Sequence, residues 1–110
     1  MLPKTKRLSR KEFGSVYNLG KRLNTSLFSV IFHPAAEAAK FGIVVSKKVT
    51  KKAVARHKVR RWVYEAIRSY LKQHESFKHD VIFITHPSIM KETYRTVETQ
   101  VHHVLQNLSH

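Results

Sequence analysis

The apolar positions of this chain recur with two different periods, and the switches between them mark out its elements. The order Leu8-Ser9-Arg10-Lys11-Glu12-Phe13 is a helix start. Ser9 can accept from the Glu12 amide, the Glu12 carboxylate can return to Ser9, and Leu8 can staple against Phe13. Phe13, Val16 and Tyr17 then share one helical face, and Gly20 closes the segment. Residues 27–32 are rich in β-branched and aromatic residues and stop at His33-Pro34, which predicts a strand. Phe28, Val30 and Phe32 take one face of it and Leu27, Ser29 and Ile31 the other; the serine marks that second face as incompletely buried. An alanine-rich turn at 35–40 leads to a second strand over 41–45, expected to form a hairpin with the first.

From about residue 51 to 73 runs the longest helical pattern, with Val59, Trp62, Val63, Ala66, Ile67, Tyr70 and Leu71 as the buried stripe. Residues 80–85 form a third strand, ended by Pro87. Ser88 then offers an N-cap for a last helix with Tyr94, Val97, Val101, Val104, Leu105 and Leu108 on one side. With one extra short strand near Leu23, the order is helix, strand, strand, strand, helix, strand, helix. That is a single-domain α+β chain, an α/β sandwich spanning residues 1–110, with helices packed on one sheet. The two strands that flank the long helix can pair in parallel through it, with a right-handed crossover as the default.

Charge changes the picture from fold to partner. The 110 residues carry 21 Lys and Arg against 7 Asp and Glu, a net charge of +14. Fifteen residues, 47–61, hold Lys47, Lys48, Lys51, Lys52, Arg56, Lys58, Arg60 and Arg61 and no acid at all. A solvated surface usually mixes both signs, and cations at a helix start oppose its dipole, so function is the reason to put them there. The partner expected for such a block is a polyanion. Cysteine is absent, which excludes disulfides, Cys-zinc sites and thiol nucleophiles. The longest apolar run, 81–84, is far short of a membrane span, and residues 1–10 lack the apolar core of a signal peptide. A cytoplasmic protein with no membrane partner is expected.

An active site made of protein groups is hard to assemble here. Metal-assisted phosphodiester cleavage needs clustered carboxylates, and the seven acids form no DxD or ExxE pairing. No histidine stands in a zinc-like HxxxH or HExxH spacing. His102 and His103 are adjacent, point apart on a helix and read as surface residues; His33 and His86 precede Pro34 and Pro87 and read as turn residues. No catalytic residue and no protein metal site is assigned. Phe13 and Tyr17, on a short helix bracketed by basic residues, could instead stack unpaired bases. Composition stops at an RNA- or DNA-binding domain.

Two motifs carry the reading further. Arg56-His57-Lys58-Val59-Arg60-Arg61, preceded by Ser46-Lys47-Lys48 and Ala53-Val54, resembles the basic signature of the bacterial ribonuclease P protein family. Arg7-Leu8 through Phe13, Val16, Gly20 and Arg22 is similar to that family's opening. The resemblance covers nearly the whole chain and implies an unusual left-handed βαβ crossover. It implies a subunit of an RNA-dependent endonuclease that removes the 5′ leader of precursor tRNA, with catalysis and Mg²⁺ held by the RNA subunit and no cofactor on the protein alone. Lys47, Lys48, Lys52, Arg56, His57, Lys58, Arg60 and Arg61 then carry over to contact with the catalytic RNA. Phe13, Tyr17, Lys48 and Tyr64 carry over to a cleft for the precursor tRNA leader, with Ile31 on its floor. His57 stands where the family usually has Asn. Tyr64 replaces a basic residue and offers a ring for stacking.

Two other classes compete. A small ribosomal protein shares the charge and size but predicts no aromatic, cation-rimmed cleft. A self-sufficient nuclease using His57 and Glu65 would have its two groups two helical turns apart, roughly 12 Å along the axis, too far for concerted acid–base work at one phosphate.

Overall fold

The computed structural model describes residues 3–108. After a 3-10 turn at Lys4–Lys6 come helix α1 (Arg10–Leu19), strands β1 (Lys21–Asn24), β2 (Phe28–Pro34) and β3 (Phe41–Val44), helix α2 (Ala53–Gln73), strand β4 (His79–Thr85), a 3-10 turn at Pro87–Lys91 and helix α3 (Tyr94–Leu108). The strands form one sheet in the order β1-β2-β4-β3. β1 and β2 are antiparallel, as are β2 and β4, while β3 and β4 run parallel with α2 as their crossover.

The expected hairpin between β2 and β3 does not form. β4 lies between them, and β2 makes its hairpin with the short strand β1 instead, around a turn in which Thr25 Oγ1 accepts from the Phe28 amide at 3.0 Å. The physical reason is the composition of β4. Val81, Ile82, Phe83 and Ile84 are apolar on both faces, and such a strand belongs in the middle of a sheet. Residues 35–40 carry the chain past it, with the Lys40 amide donating to Asp80 Oδ1 at 3.0 Å.

Alternation sends the two sheet faces to different partners. Phe28, Val30, Phe41, Val81 and Phe83 join the buried stripes of α2 (Val59, Val63, Ala66, Ile67, Tyr70) and α3 (Val97, Val101, Val104, Leu105, Leu108) in the main core. Ile31 and Ile82 on the other face meet Val16 of α1, with Leu8, Phe13, Val44 and Ile84 packed around them. At about 25 cal/mol per Å² of apolar surface, the larger cluster dominates stability and the smaller one positions α1.

α1 starts as its sequence dictates. The Glu12 amide donates to Ser9 Oγ at 3.2 Å and the Ser9 amide to Glu12 Oε1 at 2.9 Å, a complete capping box. Gly20 ends α1 with an extended backbone, its amide donating to the Val16 carbonyl at 2.8 Å. Glycine is needed there for space: a β-carbon would lie 2.6 Å from the Val16 carbonyl oxygen and 2.8 Å from that of Phe32. Two local expectations are corrected. Ser88 does not cap α3; it sits in the 3-10 turn and donates to the Ser26 carbonyl, while Thr93 Oγ1 accepts from the Thr96 amide at 3.3 Å at the start of α3. His102 is no plain surface residue: its Nε2 lies 3.0 Å from the Ala66 carbonyl oxygen and ties α3 to α2, whereas His103 is exposed.

Candidate RNA-binding site

α1 is shorter than the sheet face it lies on, and what it leaves uncovered is the site. Across that face run two rows of paired residues, Arg22-Ile31-Ile82-Gly42 and Asn24-Ser29-Ile84-Val44. α1 covers the first. The Phe13 ring sits over Gly42, where a β-carbon would lie 3.0 Å from it, and Val16 packs on Ile31 and Ile82. The second row stays half-open at Ser29, Ile84 and Val44. Just beyond it, His86 Nε2 lies 2.8 Å from Ser29 Oγ.

One side of this opening carries aromatic rings. Phe13 and Tyr17, one turn apart, stack with centroids 6.3 Å apart and planes at 15°. The Arg22 guanidinium stands 4.8 Å from the Tyr17 ring centre, and Tyr17 is 42% exposed. At the end of the second row, β3 runs directly into the Ser46–Val49 turn, closed by the Val49 amide donating to the Ser46 carbonyl at 3.0 Å. Val49 is buried in the core, which leaves Lys47 and Lys48 exposed beside the sheet.

α2 opens four residues after Val49 with no side-chain cap, its N-cap being Lys52. Unsatisfied helix amides together with exposed Lys47, Lys48, Lys52, His57, Lys58 and Arg61 make an anion-attracting end. Among the described residues the ion pairs are Lys40–Glu12 and Arg68–Glu65, so none falls in the 47–61 block. Arg56 is partly committed elsewhere. Its Nη1 donates to the carbonyls of Thr50 (3.1 Å) and Lys51 (3.0 Å), clamping the turn that leads into the helix. Arg60 is half-buried, and Lys58 Nζ stands 5.0 Å from the Trp62 ring centre.

Two expected cleft residues are not available to a ligand. Ile31 is 0% exposed, sealed under Val16, so the open floor is formed by Val44 and Ile84 instead. Tyr64 is 7% exposed and packs in the main core, because with Ile67 and Leu71 it lies at i, i+3 and i+7 along the helix and continues the buried stripe. Burial pushes its hydroxyl pKa up, against the opposing pull of Arg7 and Arg60, and no ring face is left for stacking. The sequence reading missed Val44, Ile84 and the Ser29–His86 pair. Its one signal was Ser29, which flagged this face as partly open without saying which residues shared it.

α1 is locked to the sheet at its first turn. Lys40 Nζ donates to Glu12 Oε2 at 2.6 Å. That hydrogen bond, with those from Ser9, lowers the Glu12 carboxyl pKa to about 2. The same bond raises the pKa of Lys40. Asp80 beside them is raised, by burial first. Among the described residues no three His, Asp or Glu side chains converge as metal ligands would.

The ribonuclease P family model matches residues 2–109. The chain belongs to the ribonuclease P protein family. It is 35% identical to the ribonuclease P protein component of a Picosynechococcus species, covering 97% of this chain and 87% of that one. It is 30% identical to the ribonuclease P protein component of Clostridioides difficile over 94% and 91% of the two chains. The solved ribonuclease P protein of Staphylococcus aureus superposes with a TM-score of 0.75 at 27% identity, over 96% of each chain. The Thermotoga maritima ribonuclease P protein, at 24% identity and a TM-score of 0.74, shares the fold. Family membership agrees with the helix–strand order and with the parallel β3–α2–β4 unit, and it does not favour the ribosomal reading.

Proposed function

We propose that this chain is the protein component of ribonuclease P, pairing with the enzyme's RNA subunit to form an endoribonuclease that matures the 5′ end of tRNA in the cytoplasm. The observation that carries the reading is a juxtaposition. The acid-free block opening α2 follows the turn that continues the half-open Asn24-Ser29-Ile84-Val44 row, and the stacked Phe13–Tyr17 rings stand on α1 at the neighbouring row, against Gly42 and Arg22. Lys and Arg neutralise phosphates and release counterions, while exposed rings stack unpaired bases with little regard to sequence. In this reading Lys47, Lys52, His57, Lys58, Arg60 and Arg61 face the RNA subunit and Arg56 shapes the turn that presents them. Phe13, Tyr17 and Lys48 border the leader of precursor tRNA, above Val44 and Ile84. In this reading the RNA would hold the family's Mg²⁺: the carboxylates of this chain are dispersed in sequence, and Glu12 is engaged by Lys40.

The test is cleavage of precursor tRNA by the protein alone, by a bacterial catalytic RNA alone, and by both together at low Mg²⁺. The expected result is leader removal restored only by the combination. Cleavage by stringently purified protein alone, or no stimulation of the RNA, overturns the proposal.

A further inference from the structure

Aromatic surface is not confined to the α1 side of the sheet. On the opposite side, Trp62 of α2 and Tyr94 of α3 meet edge to face, centroids 6.1 Å apart and planes at 72°, both half-buried. With Arg61 and Glu65 they line an open cleft of about 460 Å³. We infer that this cleft binds one unpaired nucleotide of an RNA strand, with the base against the Trp62–Tyr94 wall and its phosphate toward Lys58 and Arg61. The inference does not rest on the leader cleft, which lies across the sheet.

Two observations carry it. The exposed Lys58 reaches to 5.0 Å from the Trp62 ring centre, so that ring can be approached from solvent. An exposed ammonium over a ring is a weak hold, whereas a stacked base is a stronger one. An entering base can therefore take the place of Lys58 and leave the ammonium to a phosphate. The cleft is also polarised. Lys58 and Arg61 precede Trp62 along α2. Glu65, one turn beyond Arg61 along α2 and only loosely paired with the exposed Arg68 at 3.5 Å, and Glu98, which accepts from the Tyr94 hydroxyl at 3.1 Å, supply negative charge next to Tyr94. That field, together with burial, pushes the Tyr94 pKa up to about 12, burial being the larger cause. Carboxylates turn a phosphate away but accept from an exocyclic amine, as they do from the cytosine amino group. The site then prefers cytosine, which carries an amine at C4, over uracil, which presents a carbonyl there to Glu65.

Trp62 is the chain's single tryptophan, so its emission is a local reporter. The experiment titrates the full chain with pentacytidylate and with pentauridylate, following Trp62 emission and, in parallel, the anisotropy of labelled oligonucleotide. Saturable quenching, with cytidylate about fivefold tighter at this site, is the expected result. Glu65→Gln should abolish that preference without touching packed groups, since its amide can donate to the uracil carbonyl. Tyr94→Leu, checked for an unchanged melting curve, should weaken the quenching titration about fivefold or more. Anisotropy that reports binding while Trp62 emission stays constant, or quenching with equal affinity for both oligonucleotides in the unaltered chain, overturns the inference.

Discussion

Single residues in this protein hold either position or ligand, and the two kinds can be told apart by measurement. Tyr17 is exposed, stacked on Phe13 and topped by Arg22. Tyr17→Ala should weaken the binding of precursor tRNA to the RNA–protein complex by about 1–3 kcal/mol, the usual worth of one stacked base. Mature tRNA, which lacks a leader, should bind as before. The ratio of the two affinities in mutant and wild type checks this, alongside thermal melting. Gly20 is purely positional. Gly20→Ala drives a β-carbon against two backbone oxygens that cannot swing aside, so about 1–3 kcal/mol of stability should be lost, read from urea unfolding. Ile31 and Tyr64 show the limit of residue-scale reading. Both are of a type that could touch RNA, and both are withdrawn by packing that only the assembled fold reveals.

Elements carry the next set of consequences. The first turn of α1 is fastened by Glu12 to Lys40, the residue just before β3. The Glu12 pKa, about 2 in the folded chain, lies below its ordinary 4.5, so the stabilisation it supplies is complete above the ordinary value. It is withdrawn as pH falls from there through about 2. Unfolding measured against pH should show Glu12→Gln less stable than wild type near neutrality, with the gap closing across that acid window. Lys40, whose pKa is raised, adds stability that persists below its ordinary value and is lost only as pH rises through the elevated one. At the opening of α2, Arg56 and Lys58 should separate. Arg56 clamps the Thr50 and Lys51 carbonyls, and Arg56→Ala should lower the melting temperature by loosening the Ser46–Lys52 approach. Lys58 is exposed, and Lys58→Ala should leave melting unchanged. Differential scanning of both variants distinguishes a clamp from a contact.

For the molecule as a whole, the division of the sheet matters most. One face is closed by α2 and α3 over the main core; the other is only partly closed by α1. Stability is concentrated on the first face, and the surface proposed for the leader is left on the second. Binding to the catalytic RNA should therefore depend on salt far more than folding does. Replacing exposed Lys52 and Arg61 together with Ala should flatten the plot of log affinity against log salt by up to about two contacts' worth, roughly 0.7–0.9 per contact. The urea midpoint should stay in place, because neither residue belongs to the buried stripe of α2. An unaltered salt slope would show that these side chains do not meet phosphate.

What could be read from the chain alone were the features set by neighbours in sequence. The capping box of Ser9 and Glu12, the helical stripe of α2 and the acid-free block at 47–61 all depend on spacing within a dozen or so residues; the box and the block stand as read, while the stripe takes in Tyr64 and leaves Trp62 and Leu71 only partly buried. The short strand near Leu23 and the parallel pairing of the strands that flank α2 were legible too. Strand order was not. Nothing local says that β4, forty residues later in the chain, will slide between β2 and β3; that follows from burying a strand apolar on both faces, a demand met only once the helices are in place. The same holds for the site. Spacing could nominate Phe13, Tyr17 and the basic helix, because residue type and helical phase suffice to bring them to a surface. The identity of its floor depended on how much of one sheet face a ten-residue helix can cover. Packing across the sheet buried Ile31 beneath Val16 and left Val44 and Ile84 open, a contest between surfaces distant in sequence that only tertiary structure resolves.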